Sequence, residues 1–181
     1  MAKRHDPSRQ PVIPIGEVLQ VIHLHLEPRE LPPAVRSGTD VVSLIVPHLR
    51  GLHREAFFAV PLNNKHQPLG IHLVSMGTTN TAPVHPRDVF LPAILAGATA
   101  IVVAHNHPSG DPTPSHDDRR VTERLRHAGE LLGIDLLDHL ILGRGTYFSF
   151  SAEQTLSIPV GTAVTPDRRT RSTFEQETFV L

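Results

Sequence analysis

The stretch Ala104-His105-Asn106-His107-Pro108-Ser109-Gly110-Asp111-Pro112-Thr113-Pro114-Ser115-His116-Asp117-Asp118 concentrates the residue types that bind metal ions. It follows Ala100-Ile101-Val102-Val103, a short β-branched run of the kind that forms a buried strand. If extended backbone continues through His107, period-2 alternation puts His105 and His107 on one face. A turn-rich segment comes next, and Ser115 then opens a helical pattern with Asp118 in its first turn. Two imidazoles and a carboxylate therefore converge at the end of one strand-loop-helix unit.

That ligand mix favours zinc, one Zn2+ per chain, because three protein ligands leave the fourth tetrahedral position open for water. Ser115 lies one helical turn before Asp118, where its hydroxyl can face the same opening and donate to a developing oxyanion. Taken singly, Ser115 reads as a helix N-cap, Asp118 as a favourable charge at a helix N-terminus, and the histidines as a polar strand end. Their joint order and spacing favours the metal reading. A second pair, His23 and His25, has no carboxylate at useful spacing and is read as part of a surface strand.

The elements that must hold this site follow from periodicity. Residues Met1 to Pro14 are polar and proline-containing, and read as loose. Gly16 to Leu26 alternates as an edge strand, and the proline-rich Glu27 to Ser37 is a connector. Thr39-Asp40 marks a helix start, with Val41, Leu44, Ile45 and Leu49 on one face and Pro47 set to kink or shorten it. Glu55 heads Ala56 to Leu62, which is apolar on both faces and so a central strand. Asn63 to His66 turns the chain into a returning strand over Leu69 to Ser75. An acid beside so apolar a strand is costly to bury unless partnered, and burial would tune Glu55 for proton transfer. The competing reading is a carboxylate at a wet strand end, paired with Arg54 or His53, and composition leaves the two level.

Gly77-Thr78-Thr79-Asn80 reads as a turn near the site, since glycine permits close backbone approach. Pro86 to Ala96 is helical, with Pro86 at the first position, Gly97 near the stop, and Pro92 implying a kink or a late start. Val121, Leu125, Ala128, Leu131 and Leu132 trace the apolar stripe of the helix after the motif, which ends near Gly133. Acids interleave with its arginines, so they read as a solvated face rather than a nucleic-acid patch. Ile134 to Leu142 is a strand interrupted by Asp138 and His139. Either could orient a metal-binding imidazole, or His139 could be a core histidine satisfied by a backbone carbonyl. Thr146 to Phe150 is read as the last strand, and the polar chain beyond Gly161 as a flexible tail with apolar ends.

His105-x-His107, seven residues, Ser115, two residues and Asp118 resembles the JAB/MPN/Mov34 metalloenzyme (JAMM) motif. The fuller wording His105-Asn106-His107-Pro108-Ser109-Gly110, with Pro114-Ser115 and Asp118, is that of the RadC branch. Arg54-Glu55-Ala56-Phe57, Gly77-Thr78, His85 to Phe90, Leu132-Gly133-Ile134 and Leu137-Asp138-His139 extend the likeness from about Val35 to about Gln154. The residues before Val35 lack the glycine-rich hairpins of the helix-hairpin-helix-like region that longer RadC relatives carry, so the chain resembles a short form. The resemblance implies a three-layer α/β fold related to cytidine deaminases, with a central mixed sheet flanked by helices. It implies Glu55 as the proton-transferring acid and a peptide or isopeptide bond as the substrate. It also brings two alternatives: a DNA-repair or mobile-element-associated factor, and a non-catalytic scaffold. The expected division is residues 1–34 as a polar segment with an edge strand, 35–158 as the RadC-like domain, and 159–181 as the tail.

Bulk properties narrow the field. With 181 residues, 17 Lys plus Arg and 18 Asp plus Glu, the net charge of −1 gives no electrostatic footprint for nucleic acid, and any such binding is expected to be weak. Cysteine is absent, which removes thiolate zinc sites, disulfides, cysteine nucleophiles and the P-C-x-x-C of zinc deaminases. No H-E-x-x-H occurs, and a metal-dependent barrel would need roughly 250 residues. No apolar stretch approaches the roughly 20 residues of a membrane span, and Met1 to Asp6 opens no apolar signal core. A cytoplasmic protein without membrane contact is the expectation, with a homodimer as one option for its assembly.

Overall fold

The computed structural model describes residues 31–49, 52–77 and 84–159. The expected strand over Gly16 to Leu26, the His23/His25 pair, most of the Gly77 to Asn80 turn and the tail lie outside these residues. In chain order the elements are α1 (Gly38–Leu49), β1 (Ala56–Leu62), β2 (His72–Met76), α2 (Pro86–Leu95), β3 (Ala100–Asn106), α3 (His116–Leu132), β4 (Asp135–Leu142), β5 (Thr146–Ser149) and β6 (Gln154–Ser157).

The strands form one sheet in the order β2-β1-β3-β4-β5-β6. Every pairing is antiparallel except β3 with β4, which are joined through α3 as a parallel pair requires. β1 and β3 are buried at all seven positions, as expected of central strands covered on both faces. Phe58, Val60, Val102, Ala104 and Leu140 pack with Val41, Val42 and Ile45 of α1 on one face. Phe57, Ala59, Ile101 and Val103 pack with Val89 and Phe90 of α2 and Leu125 of α3 on the other. The three-layer α/β architecture with a central mixed sheet is therefore the one observed.

Several boundaries differ from the periodicity reading, each for a local reason. Helix α1 runs to Leu49 with Pro47 in its last turn, and Val42 rather than Leu44 joins its buried face. Pro92 lies inside α2, which still starts at Pro86 behind His85, whose ring accepts from Arg87 N. β2 begins at His72, because Leu69 is held by a separate bond to Pro61 O and a bulge opposite Phe57 and Phe58 resets the register. The apolar stripe of α3 is rotated from the expected one. Thr122, Leu125 and Gly129 are its buried residues, whereas Leu131 is 89% exposed. Gly129 sits where a side chain would run into the Ile134 carbonyl and Phe90, which lets the helix lie close to the following strand. β6 was hidden from periodicity because Gln154-Thr155-Leu156-Ser157 is a mostly polar edge strand.

Candidate metal centre

Strand β3 and helix α3 bring His105, His107 and Asp118 together. His105 is the penultimate residue of β3, and His107 N still bonds Leu142 O, so the ladder carries the extended chain one residue beyond the strand. Both imidazoles consequently face the same side, with Nε2 to Nε2 at 3.0 Å. Asp118 comes from the first turn of α3, placing Oδ1 3.2 Å from His105 Nε2 and Oδ2 3.5 Å from His107 Nε2. Tetrahedral ligands bound at about 2.0–2.1 Å are separated from one another by roughly 3.3 Å. The Nε2–Nε2 and His105 Nε2–Asp118 Oδ1 spacings lie close to that value, and one ligand atom from each of the three residues lies within 4.8 Å of the others, so these residues could hold a metal ion.

The helix start fixes the carboxylate. Ser115 is the N-cap: its Oγ accepts from Asp118 N at 3.1 Å, and Ser115 N donates to Asp118 Oδ2 at 2.7 Å, a reciprocal capping box. The Ser115 hydroxyl also donates to Oδ2 at 2.6 Å. One oxygen of Asp118 is thus engaged by the cap, and Oδ1 is left toward the imidazoles.

A buried chain of hydrogen bonds decides which imidazole nitrogens carry protons. Thr122 Oγ1 donates to Asp118 O at 2.6 Å and has no second proton, so at its 2.6 Å contact with His139 Nδ1 the imidazole must donate. His139 Nε2 is then an acceptor, and His105 Nδ1–H donates to it at 2.8 Å. His107 Nδ1 faces the Asp111 carbonyl at 2.8 Å, and a carbonyl only accepts. Both imidazoles therefore carry their outer proton on Nδ1 and direct Nε2 at the same point, the arrangement that outer partners impose on metal-binding histidines. His139 is fully buried, stacked at 9° on Phe150 and packed on Phe57, so bulk water does not compete for this relay.

His139 is brought to this face by a bulge. β3 and β4 pair Ile101 with Leu136 but Val102 with Asp138, so Leu137 is an extra residue that reverses the alternation. Of the two residues left level by the sequence, His139 meets His105. Asp138 instead ties the β4–β5 corner, accepting from His139 N, Ser149 Oγ and Ser151 N. Thr122 was missed. Its signal was a polar residue one turn after Asp118 on the buried side of α3.

Glu55 precedes the first buried residue of β1 and is exposed, so of the two readings that composition left level the wet strand end is the one observed. The charge of Glu55 reaches His107 and helps hold that imidazole's proton. The backbone around it is pinned by a residue the sequence reading left without a role. Asn106, between the two histidines, accepts from Ala56 N at 2.8 Å and donates to Arg54 O at 3.1 Å. Gly77 N donates to Glu55 O at 2.7 Å.

The family model for the RadC-like JAB domain matches residues 35–156. The chain belongs to the RadC-like JAB family. It is 50% identical over 122 residues to a UPF0758 protein of Moorella thermoacetica, covering 67% of this chain and 53% of that relative. A UPF0758 protein of Alkaliphilus metalliredigens is 44% identical over 122 residues, with 67% and 53% covered. One from Desulforamulus reducens is 45% identical over 126 residues, with 70% and 56% covered. The chain spans about half the length of these curated relatives.

In this RadC-like JAB domain the electrostatics suit a cation at the cluster. Partial burial pushes the Asp118 carboxyl up, but its side-chain contacts with the His105 and His107 imidazoles outweigh that and hold the group well below the usual carboxylate range. The bond to Asp118 raises His107, against partial desolvation. Burial, reinforced by the neighbouring His105, lowers His139 and keeps it neutral, as the acceptor role of its Nε2 requires. Among the described residues no helix is long and apolar enough to cross a membrane.

Proposed function

We propose that the chain is a zinc-dependent hydrolase of the JAMM type, acting on peptide or isopeptide bonds. The observation that carries this reading is the convergence of His105, His107 and Asp118, with one ligand atom from each within 4.8 Å of the others and the outer imidazole protons held on the far side. Zinc suits two imidazoles and one carboxylate, and when bound there it supplies a Lewis acid that makes water acidic near neutral pH. Glu55, at the open end of β1 within electrostatic reach of His107, takes a proton from the attacking water and returns it to the leaving amine. Asn106 and Gly77 hold the Glu55 backbone while its side chain moves between the two positions. Ser115 serves the oxyanion by turning its hydroxyl away from Asp118 Oδ2, where the proton rests in the substrate-free protein.

Nucleic acid is the weaker reading. The net charge is −1, and Arg120 and Arg126 on α3 are paired with Asp117 and Glu123. Zinc-loaded protein should be profiled on peptide, isopeptide-linked and DNA substrates, with Glu55→Gln as the control. Cleavage of a peptide or isopeptide bond that is lost with Glu55→Gln supports the proposal. Cleavage confined to DNA, or cleavage indifferent to Glu55→Gln, contradicts it.

A further inference from the structure

The turn between β4 and β5 is Gly143-Arg144-Gly145, and it is pressed against the loop that carries His107. Arg144 N donates to Gly110 O at 2.8 Å, and Gly110 N donates to His107 O at 2.9 Å. A Cβ at Gly143 would lie 2.7 Å from Pro112 Cδ and 3.0 Å from Pro112 N, so a side chain there would force turn and loop apart. Gly110, at φ +88, leaves room for the Arg144 stem, whose Cβ would be 3.2 Å from a Cβ on Gly110. The glycines on both sides leave Arg144 as the one side chain that this turn presents.

The Arg144 side chain is exposed, and its guanidinium makes no hydrogen bond or ion pair with the described residues. It lines an open groove of about 470 Å³ that begins at His107. The lining is otherwise largely aliphatic, with Leu49, Leu52, Leu142 and Ile158 contributing to it. Among the described residues lining the groove, Arg144 is the one permanent charge. The combination is a wet cation, a largely aliphatic lining and a border shared with the candidate metal centre through His107. A side chain placed there by two close backbone approaches is not an incidental surface arginine.

We propose that this groove binds the substrate beside the scissile bond and selects a peptide segment in which an aliphatic residue adjoins an acidic one. The aliphatic side chain lies against Leu49, Leu52 and Ile158, and the acidic side chain pairs with Arg144. An internal acidic residue fits better than a terminal carboxylate. The groove is open along the surface and offers one guanidinium, whereas a chain end calls for a closed pocket with several convergent donors. The inference rests on the hydrolase reading for its direction, but it concerns binding and is measured without turnover.

The experiment uses the zinc-loaded full chain with Glu55→Gln, so that the probes stay intact. Three fluorescein-labelled tetrapeptides are titrated by anisotropy: Ala-Leu-Glu-Ala amide, Ala-Leu-Lys-Ala amide, and Ala-Leu-Gln-Ala with a free carboxylate. The glutamate probe is expected to bind tightest. Adding Arg144→Ala should weaken it a few-fold, and Arg144→Glu should weaken it by about tenfold while favouring the lysine probe. Replacing Leu with Ser in the glutamate probe should also weaken binding. No binding of any probe, equal binding of all three, a preference for the free carboxylate, or indifference to Arg144→Glu would overturn the inference. The two proposals separate cleanly: the expected charge preference without cleavage by the wild-type chain removes the hydrolase reading alone. Cleavage without a charge preference removes the groove alone.

Discussion

His139→Phe tests the proton relay behind the candidate metal centre. Phenylalanine is close in size to the imidazole and can keep the stacking on Phe150 and the packing on Phe57, so the change removes hydrogen-bonding atoms more than volume. It strips the acceptor from His105 Nδ1, in a side chain only 1% exposed, and leaves Thr122 Oγ1 without its partner at 2.6 Å. A buried donor left unpaired costs about 1–3 kcal/mol, which His105 avoids by moving its proton to Nε2, the nitrogen that must be bare to bind metal. Loss of such an outer partner weakens zinc by about 10–100-fold, or about 1.4–2.8 kcal/mol. The assay is competition for zinc against a chromophoric chelator at fixed pH, with circular dichroism to confirm folding. Thr122→Val should show the same effect more weakly, and Thr122→Ser, which keeps the hydroxyl, should bind like the parent. If His139→Phe folds and binds zinc within about twofold of the parent, while His105→Ala does not bind, the relay has no part in preparing His105.

Ser115→Ala removes the N-cap acceptor from Asp118 N and a donor from Asp118 Oδ2, so thermal or urea unfolding should report a loss of about 1 kcal/mol; unchanged stability would mean the capping box contributes nothing. In a turnover assay the same variant should lose roughly 10²-fold while retaining zinc. Zinc uptake should be pH-dependent: Asp118 raises His107, so the metal-free protein keeps that proton to higher pH, and chelator competition should show affinity falling as pH drops through the raised value. The matching effect on the metal-free fold has the opposite sense. The His107–Asp118 pair contributes stability between the ordinary pKa values of 3.8 and 6.5, lost above as His107 deprotonates and far below as Asp118 protonates. A flat urea midpoint across that range and just above it would contradict the pairing. Asn106→Ala should retain zinc but lose activity more than Asn106→Gln, since it frees Arg54 O and Ala56 N on either side of Glu55.

Much of the fold was legible because its central strands are continuous apolar runs and its motif helix carries a capping signature. Ala100 to Val103 and Ala56 to Leu62 read as buried strands, and Ser115 with Asp118 marked the start of α3. The grouping of His105 and His107 was legible from extended structure: alternation fixes the side on which the two side chains emerge. What escaped depends on tertiary register. A period-2 reading of β4 cannot say which of Asp138 and His139 faces the centre, because the deciding residue is Leu137, bulged only in the company of Ile101 and Val102. Composition left Glu55 open between burial and a wet strand end, because position at a strand end, not the apolarity of neighbours, governs exposure there. Arg144 carried no signal at all, since its meaning comes from Gly110 and Gly143 being backbone neighbours across the sheet's end.

The most direct test is zinc stoichiometry, by elemental analysis after dialysis, on the parent, His107→Ala, Asp118→Ala and Glu55→Gln. The geometry calls for about one zinc per chain in the parent and in Glu55→Gln, and little in the other two. Stoichiometric zinc in both ligand variants, or its loss from Glu55→Gln, would contradict the assignment of His105, His107 and Asp118 as the metal centre with Glu55 outside it.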